Sequence, residues 1–215
     1  WRWSGANRIL GLILALAFIF RLGLGLALTF LLPGTGYDSP VYQAGYAYMD
    51  AYNRDLQAWE LAHSGQPLWA AFDKNTSIDQ YGGLLALSAL IYRYLSPDAH
   101  RPWLIILIAA AVAALGVAFL WKAARQVWGD SVAFPAAWIS ALYPESLLLG
   151  GSQMREPFLI SFAAMSFWGM LDWQNTRKRG AWLWLGIGIA GMLLFSPGVA
   201  LSTLLALAGW LWLDR

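Results

Sequence analysis

Apolar residues in this chain come in seven runs: Ile9–Leu32, Leu84–Leu95, Trp103–Trp121, Ser131–Leu149, Phe158–Trp173, Ala181–Phe195 and Gly198–Leu213. A helix that crosses a bilayer needs about 20 apolar residues, and ~17 are workable. Six of the runs are read as spans. The last two fall slightly short, and flanking tryptophans extend them. Leu84–Leu95 differs, because it is short, follows Gly82-Gly83 and carries Arg93 near its end. It predicts a helix that lies in the interface or re-enters rather than one that crosses.

The polar stretch from Pro33 to Tyr81 holds Asp38, Asp50, Asp55, Glu60, Asp73 and Asp79 against only Arg54 and Lys74. Asp38-Ser39-Pro40 reads as a helix start, with Ser39 as cap and Pro40 at the first helical position. Val41, Gly45, Tyr48, Tyr52, Leu56 and Trp59 then recur at spacings of three and four. Gln43, Asp50, Arg54 and Gln57 fall on other faces. That spacing predicts one amphipathic helix of about five turns along a membrane surface. Gly65-Gln66-Pro67 ends it.

The fold class expected is therefore all-α: a polytopic transmembrane helix bundle of about six spans, with amphipathic juxtamembrane helices in a long first outer loop. Residues 1–215 are read as a single transmembrane domain, with 33–102 as the outer loop and no soluble domain or internal repeat. Composition agrees: 59% of residues are hydrophobic and 12% charged, against roughly 25% charged in soluble domains. Fourteen tryptophans, many at the ends of apolar runs, suit the headgroup zone. The first run is too long for a secretory h-region and has no small-residue cleavage site after it. The absence of cysteine excludes disulfides and thiolate metal sites. A net charge of +2, with basic residues spread along the chain, gives no sign of a nucleic-acid partner.

Charge placement sets the expected topology. With six spans, one side holds Arg2, Arg8, Lys122, Arg125, Arg177, Lys178, Arg179 and Arg215, and the other Arg54, Lys74, Arg93, Arg101 and Arg155. The first set is concentrated in short loops, so the positive-inside rule puts both termini in the cytoplasm of a multi-pass cell-membrane protein.

Ionisable residues beside apolar runs are candidates for function, because burying them is costly. Arg155 and Glu156 stand between two runs, and Asp38 opens the outer loop. Each also has a plainer role: Asp38 as a loop residue, Glu156 as a first-turn carboxylate complementing a helix dipole, Arg155 as a headgroup anchor. Arg21 lies within the first run, where a guanidinium must find a partner or snorkel. Its expected role is structural, in a pairing with Glu145. His63 and His100 are isolated in the sequence and read as surface residues rather than ligands. Gly116, Gly186, Gly188 and Gly191 suggest close helix packing.

Four stretches, in their order, carry a resemblance. They are Tyr37-Asp38-Ser39-Pro40-Val41-Tyr42, Tyr81-Gly82-Gly83-Leu84-Leu85-Ala86-Leu87, Lys122-Ala123-Ala124-Arg125-Gln126-Val127-Trp128-Gly129, and Tyr143-Pro144-Glu145-Ser146 through Glu156-Pro157-Phe158. Across about residues 9 to 175 the chain resembles the membrane module of GT-C superfamily glycosyltransferases, of the protein O-mannosyltransferase-like and phospholipid carrier-dependent kind. The resemblance implies transfer of a sugar from a polyprenyl-phosphate-linked donor to a protein, lipid or glycan acceptor at the outer face. It implies inversion at the anomeric carbon and an aspartate general base, which falls on Asp38. Arg155, Glu156, Tyr42 and Tyr81 are the expected substrate-binding residues. No metal ligands are assigned and no cofactor is fixed; a divalent metal is left open. Many relatives carry an acidic pair where this chain has Asp38-Ser39, and often prolines where it has Gly82-Gly83. The alternative from another class is a noncatalytic subunit packed among partner membrane subunits. A transporter is disfavoured because charged residues in mid-span are too few.

Overall fold

The computed structural model describes residues 8–35, 38–73 and 81–213. Its elements are α1 (Arg8–Thr35), α2 (Pro40–Gln43), α3 (Met49–His63), a 3₁₀ turn (Leu68–Phe72), α4 (Gly83–Leu95), α5 (Trp103–Trp128), α6 (Asp130–Leu142), α7 (Pro144–Gly150), α8 (Glu156–Thr176), α9 (Arg179–Phe195) and α10 (Pro197–Leu213). The described residues contain no strand. This is an all-α membrane helix bundle.

Two helices, α1 with 28 residues and α5 with 26, combine the length and hydropathy of a span. At 1.5 Å per residue they measure about 42 and 39 Å, enough to cross. The run expected as one span at Ser131–Leu149 is instead two helices, α6 and α7, bent by 56°. Counted as one broken span, they make a third. The break has a local cause. Pro144 has no N–H to continue the ladder and disfavours helical backbone in the residue before it, and Tyr143 is accordingly extended at φ −58°, ψ 123°.

Helices α1, α5 and α6 close around one cluster, in which Leu10, Ile13 and Ala17 meet Val117, Trp121, Ala124, Ala133 and Ala137. The beginning of α1 thus lies beside the end of α5 and the beginning of α6. The other ends also meet. Gly25 and Thr29 of α1, Pro102 and Ile106 at the start of α5, Gly151 to Gln153 after α7, and Gly45 to Ala47 after α2 line one small cavity. The described residues from 38 to 73 and from 81 to 102 therefore collect at a single end of the bundle.

Small residues allow the close helix approaches. A side chain at Gly116 of α5 would strike Ser161 of α8, and one at Gly188 or Gly191 of α9 would strike Phe162 or Ser166 of α8. Packing was expected at all of these. Gly186 is the exception, with nothing within 4 Å of a Cβ there.

The segment after α1 departs from the single five-turn helix. Ser39 is extended at φ −136° and Pro40 opens the helix as expected, yet α2 stops at Gln43. Gly45 then takes φ 81°, and a Cβ there would lie 2.5 Å from Thr29 O. The chain presses onto the α1 backbone at this point, which only glycine permits, so the helix is interrupted. After the restart the buried face is Ala51, Arg54, Asp55, Ala58, Leu61 and Ala62, not the tyrosine stripe. Leu56 is exposed. The expected helix end holds, with Ser64 as cap and Gly65 at φ 69°.

Helix α4, 13 residues long, measures about 20 Å, short of the ~30 Å hydrocarbon core. It packs chiefly on α3 and the 3₁₀ turn. Arg93 in its last turn fixes that contact, donating to Leu61 O (2.6 Å), Ala62 O (3.1 Å) and Gln66 O (2.8 Å). Two of those acceptors lie in the last turn of α3, where carbonyls lack intrahelical donors and a cation is favoured.

Candidate functional site

Arg21 shows how the broken span is completed. The last carbonyls of α6 have few donors ahead of them, because Pro144 brings none. Arg21, only 1% exposed, supplies them from α1. Its Nη1 donates to Ala141 O (3.0 Å) and Ala17 O (2.9 Å), its Nη2 to Ser140 O (2.8 Å) and Ser146 Oγ (2.7 Å). Carbonyls and a hydroxyl take the guanidinium, not the expected partner Glu145, which is exposed. Glycine at 150 leaves room for the arginine stem, where a Cβ would come within 2.6 Å of Arg21 Cδ. The break thereby turns α7 and the following 151–155 turn toward the end of the bundle where Ala44 to Ala47 and Pro102 lie.

That turn presents the Arg155–Glu156 pair. Arg155 precedes α8 and Glu156 begins it, followed by Pro157. Arg155 Nε lies 3.7 Å from Glu156 Oε1, and its guanidinium carbon lies 5.2 Å from the centre of the Tyr81 ring, a cation–π distance. Glu156 Oε2 is buried with no hydrogen-bond partner, although the side chain as a whole is 36% exposed. Tyr48 stands near both Glu145 and Glu156. Burial, then the charges of those two carboxylates, push its phenol above the usual value. Three of the expected residues, Arg155, Glu156 and Tyr81, are therefore neighbours, and Tyr48 and Glu145 join them.

Asp38 lies two residues ahead of α2. It is exposed, and Gln43 Nε2 donates to its Oδ1 at 2.7 Å. Tyr42 is half-buried in α2. No hydrogen bond or ion pair joins Asp38 to Arg155 or Glu156. One contact between the two regions is apolar: Met154, next to Arg155, packs on the cluster of Val41, Tyr46 and Ala51. Among the described residues no three His, Asp or Glu side chains gather to hold a metal ion.

Between these two regions lies a buried polar cluster that the residue pattern did not single out. Asp55 is 1% exposed. Its Oδ2 accepts from Tyr46 OH at 2.5 Å and lies 2.6 Å from His100 Nε2, and its Oδ1 accepts from Tyr92 OH. Burial, then the Asp55 charge, push both phenols well above the usual tyrosine value, so they stay protonated donors. His100 is exposed, as expected, yet it is engaged with a carboxylate and packed against Trp59 and Tyr92. A signal was present: Ala51, Asp55, Ala58 and Ala62 share one helical face, so Asp55 falls within an inward stripe of small residues.

A family model described as dolichyl-phosphate-mannose-protein mannosyltransferase matches residues 77–215. No match was found among curated proteins or among solved structures. The matched region begins after α3, so it includes Tyr81, Arg155 and Glu156 and leaves out Asp38 and Asp55. It covers well over half of the sequence and every helix from α4 onward, and on that match the chain belongs to the dolichyl-phosphate-mannose-protein mannosyltransferase family of GT-C membrane glycosyltransferases, which transfer sugars from lipid-phosphate carriers.

Proposed function

We propose that this protein transfers a sugar from a polyprenyl-phosphate donor to an acceptor hydroxyl on a protein, lipid or glycan at the outer membrane face, with inversion. Asp38 is the general base. The acceptor oxygen attacks the anomeric carbon as the bond from that carbon to the phosphate oxygen breaks. The acceptor proton passes to Asp38, and the lipid phosphate leaves with the bonding pair. Gln43 occupies one Asp38 oxygen, and the second is available to the acceptor. Arg155 meets the donor phosphate, where a planar guanidinium suits two anionic oxygens. Glu156, Tyr81 and Tyr42 contact the substrates.

The observation that carries this reading is the Arg155–Glu156–Tyr81 group at the start of α8, inside the family match. A cation on an aromatic face beside a partly exposed carboxylate offers both a phosphate contact and a hydroxyl acceptor. Residues 38–102 are proposed as the outer layer of one transmembrane domain. Six spans are proposed, with α6–α7 counted as one, α4 not crossing and both termini cytoplasmic. Lys122 over the Trp168 ring supports that orientation, because it brings the basic end of α5 to the end of α8 that leads into Arg177-Lys178-Arg179.

The test is Asp38→Asn in nanodiscs with a synthetic polyprenyl-phosphate sugar. General-base catalysis contributes about 10²–10⁴-fold, so turnover should fall by that order while melting temperature and donor binding stay near wild type. Full activity in Asp38→Asn would end the assignment. A wild-type protein that binds the donor and transfers nothing would favour the noncatalytic-subunit reading.

A further inference from the structure

The buried Asp55 carboxylate has no place in the chemistry just described, and it is too enclosed to meet a substrate. An apolar side chain at this position would fill the space without the desolvation cost of a buried charge. What a carboxylate adds is direction, because each of its donors must come from a defined angle.

The donors come from separate parts of the chain. Tyr46 lies in the link from α2 to α3, Tyr92 in α4, and His100 just ahead of α5. The next contacts lead to the turn before α8. Arg54, adjacent to Asp55, donates from Nη1 to Gln153 O at 2.8 Å. Gln153 Nε2 donates to Pro102 O at 3.3 Å, two residues beyond His100, and Gln153 lies against both phenols. Gln153 is buried and stands two residues from Arg155. On the other side, Tyr46 is two residues from Tyr48, the phenol beside Glu145 and Glu156. Three of these segments meet at the Asp55 carboxylate, and the neighbouring Arg54 ties the turn before α8 to them through Gln153.

We propose that Asp55 is a positioning residue for the transfer site: with Tyr46, Tyr92, His100 and the Arg54–Gln153 bridge, it holds the 151–156 turn in register with the outer layer and so sets where Arg155 and Glu156 stand. This rests on the function proposed above for Arg155 and Glu156. The register itself does not depend on that function and is measurable without it.

The test uses the full chain in nanodiscs and compares wild type with Asp55→Asn and Tyr92→Phe. Asparagine keeps the shape and removes the charge; phenylalanine removes one of the three donors. Hydrogen–deuterium exchange should rise at least tenfold in peptides covering 100–104 and 150–157 of Asp55→Asn, with α5 beyond residue 106 and α9 unchanged. Tyr92→Phe should show the same pattern at smaller amplitude. In turnover assays kcat/KM for the donor should fall at least tenfold, because Arg155 and Glu156 are the groups that meet it. Unchanged exchange at 150–157, or a rise spread evenly over all helices, would overturn the proposal. So would an unchanged kcat/KM in an active protein whose exchange at 150–157 has risen. If Asp55→Asn does not fold, Tyr92→Phe decides alone. If the wild-type protein transfers no sugar, the functional reading fails, and the exchange pattern still decides whether Asp55 sets the turn.

Discussion

Replacing Arg21 by leucine should destabilise the bundle by about 2–4 kcal/mol, and the structure indicates why the loss wins. Leucine removes an ionised group from the helix bundle, which by itself is favourable, since no carboxylate balances the guanidinium and desolvation is costly. It also strips the donors from Ser140 O and Ala141 O. Those carbonyls have no second source, because Pro144 lacks an N–H and the chain bends away after Tyr143. Each buried acceptor left unsatisfied costs about 1–3 kcal/mol. Leucine is also shorter than the arginine stem and leaves space beside Gly150. The favourable term offsets part of that sum, which leaves the stated range. For a chain of this size 1 kcal/mol corresponds to roughly 2–4 °C, so thermal unfolding in detergent should move down by about 4–16 °C. Arg21→Lys should fall between the two, because one ammonium cannot reach all the acceptors with the same geometry. Adding Pro144→Ala to Arg21→Leu should recover part of the loss, since it restores the N–H that Ser140 O lacks. An Arg21→Leu protein as stable as wild type would refute the reasoning, as would strict additivity in the double variant.

Two further outcomes are expected. Because the chain has no cysteine, Thr176→Cys gives a single thiol, and an impermeant maleimide should reach it only from the cytoplasmic side; labelling from outside would sink the six-span topology. His63 places Nδ1 2.9 Å from Trp59 O and Nε2 3.0 Å from Pro97 O, an arrangement that the protonated ring, with both nitrogens donating, satisfies in full. The Trp59 and then the Pro97 carbonyl raise its pKa against the opposing effect of Arg93. The raised value makes its stabilising contribution complete below the unfolded pKa of about 6.5 and lost as pH rises through the folded value. Melting curves from about pH 5.5 to 8.5 should show that loss in wild type and not in His63→Gln; identical pH dependence would reject it.

Sequence alone determined the elements whose cause is local. Hydropathy and length suffice for α1 and α5, because a helix in lipid satisfies its own backbone and needs no partner to form. Pro40 and Gly65 fix a helix start and a helix end through backbone angles that the residues themselves impose. The shortness of α4 and the unusual pair at Arg155–Glu156 were visible for the same reason. What depended on distant contacts was not visible. The five-turn pattern after Ser39 is periodic in the sequence, and only the approach of Gly45 to Thr29 breaks it. Arg21 asked for a partner, and a carboxylate was the natural expectation; carbonyls freed more than 100 positions later by Pro144 answered instead. Asp55 and His100 are 45 positions apart and look like two ordinary polar residues. They become one site only when α3, α4 and the approach to α5 fold together, because a buried carboxylate is satisfied by whichever donors the tertiary structure brings to it, and no local pattern records which those are.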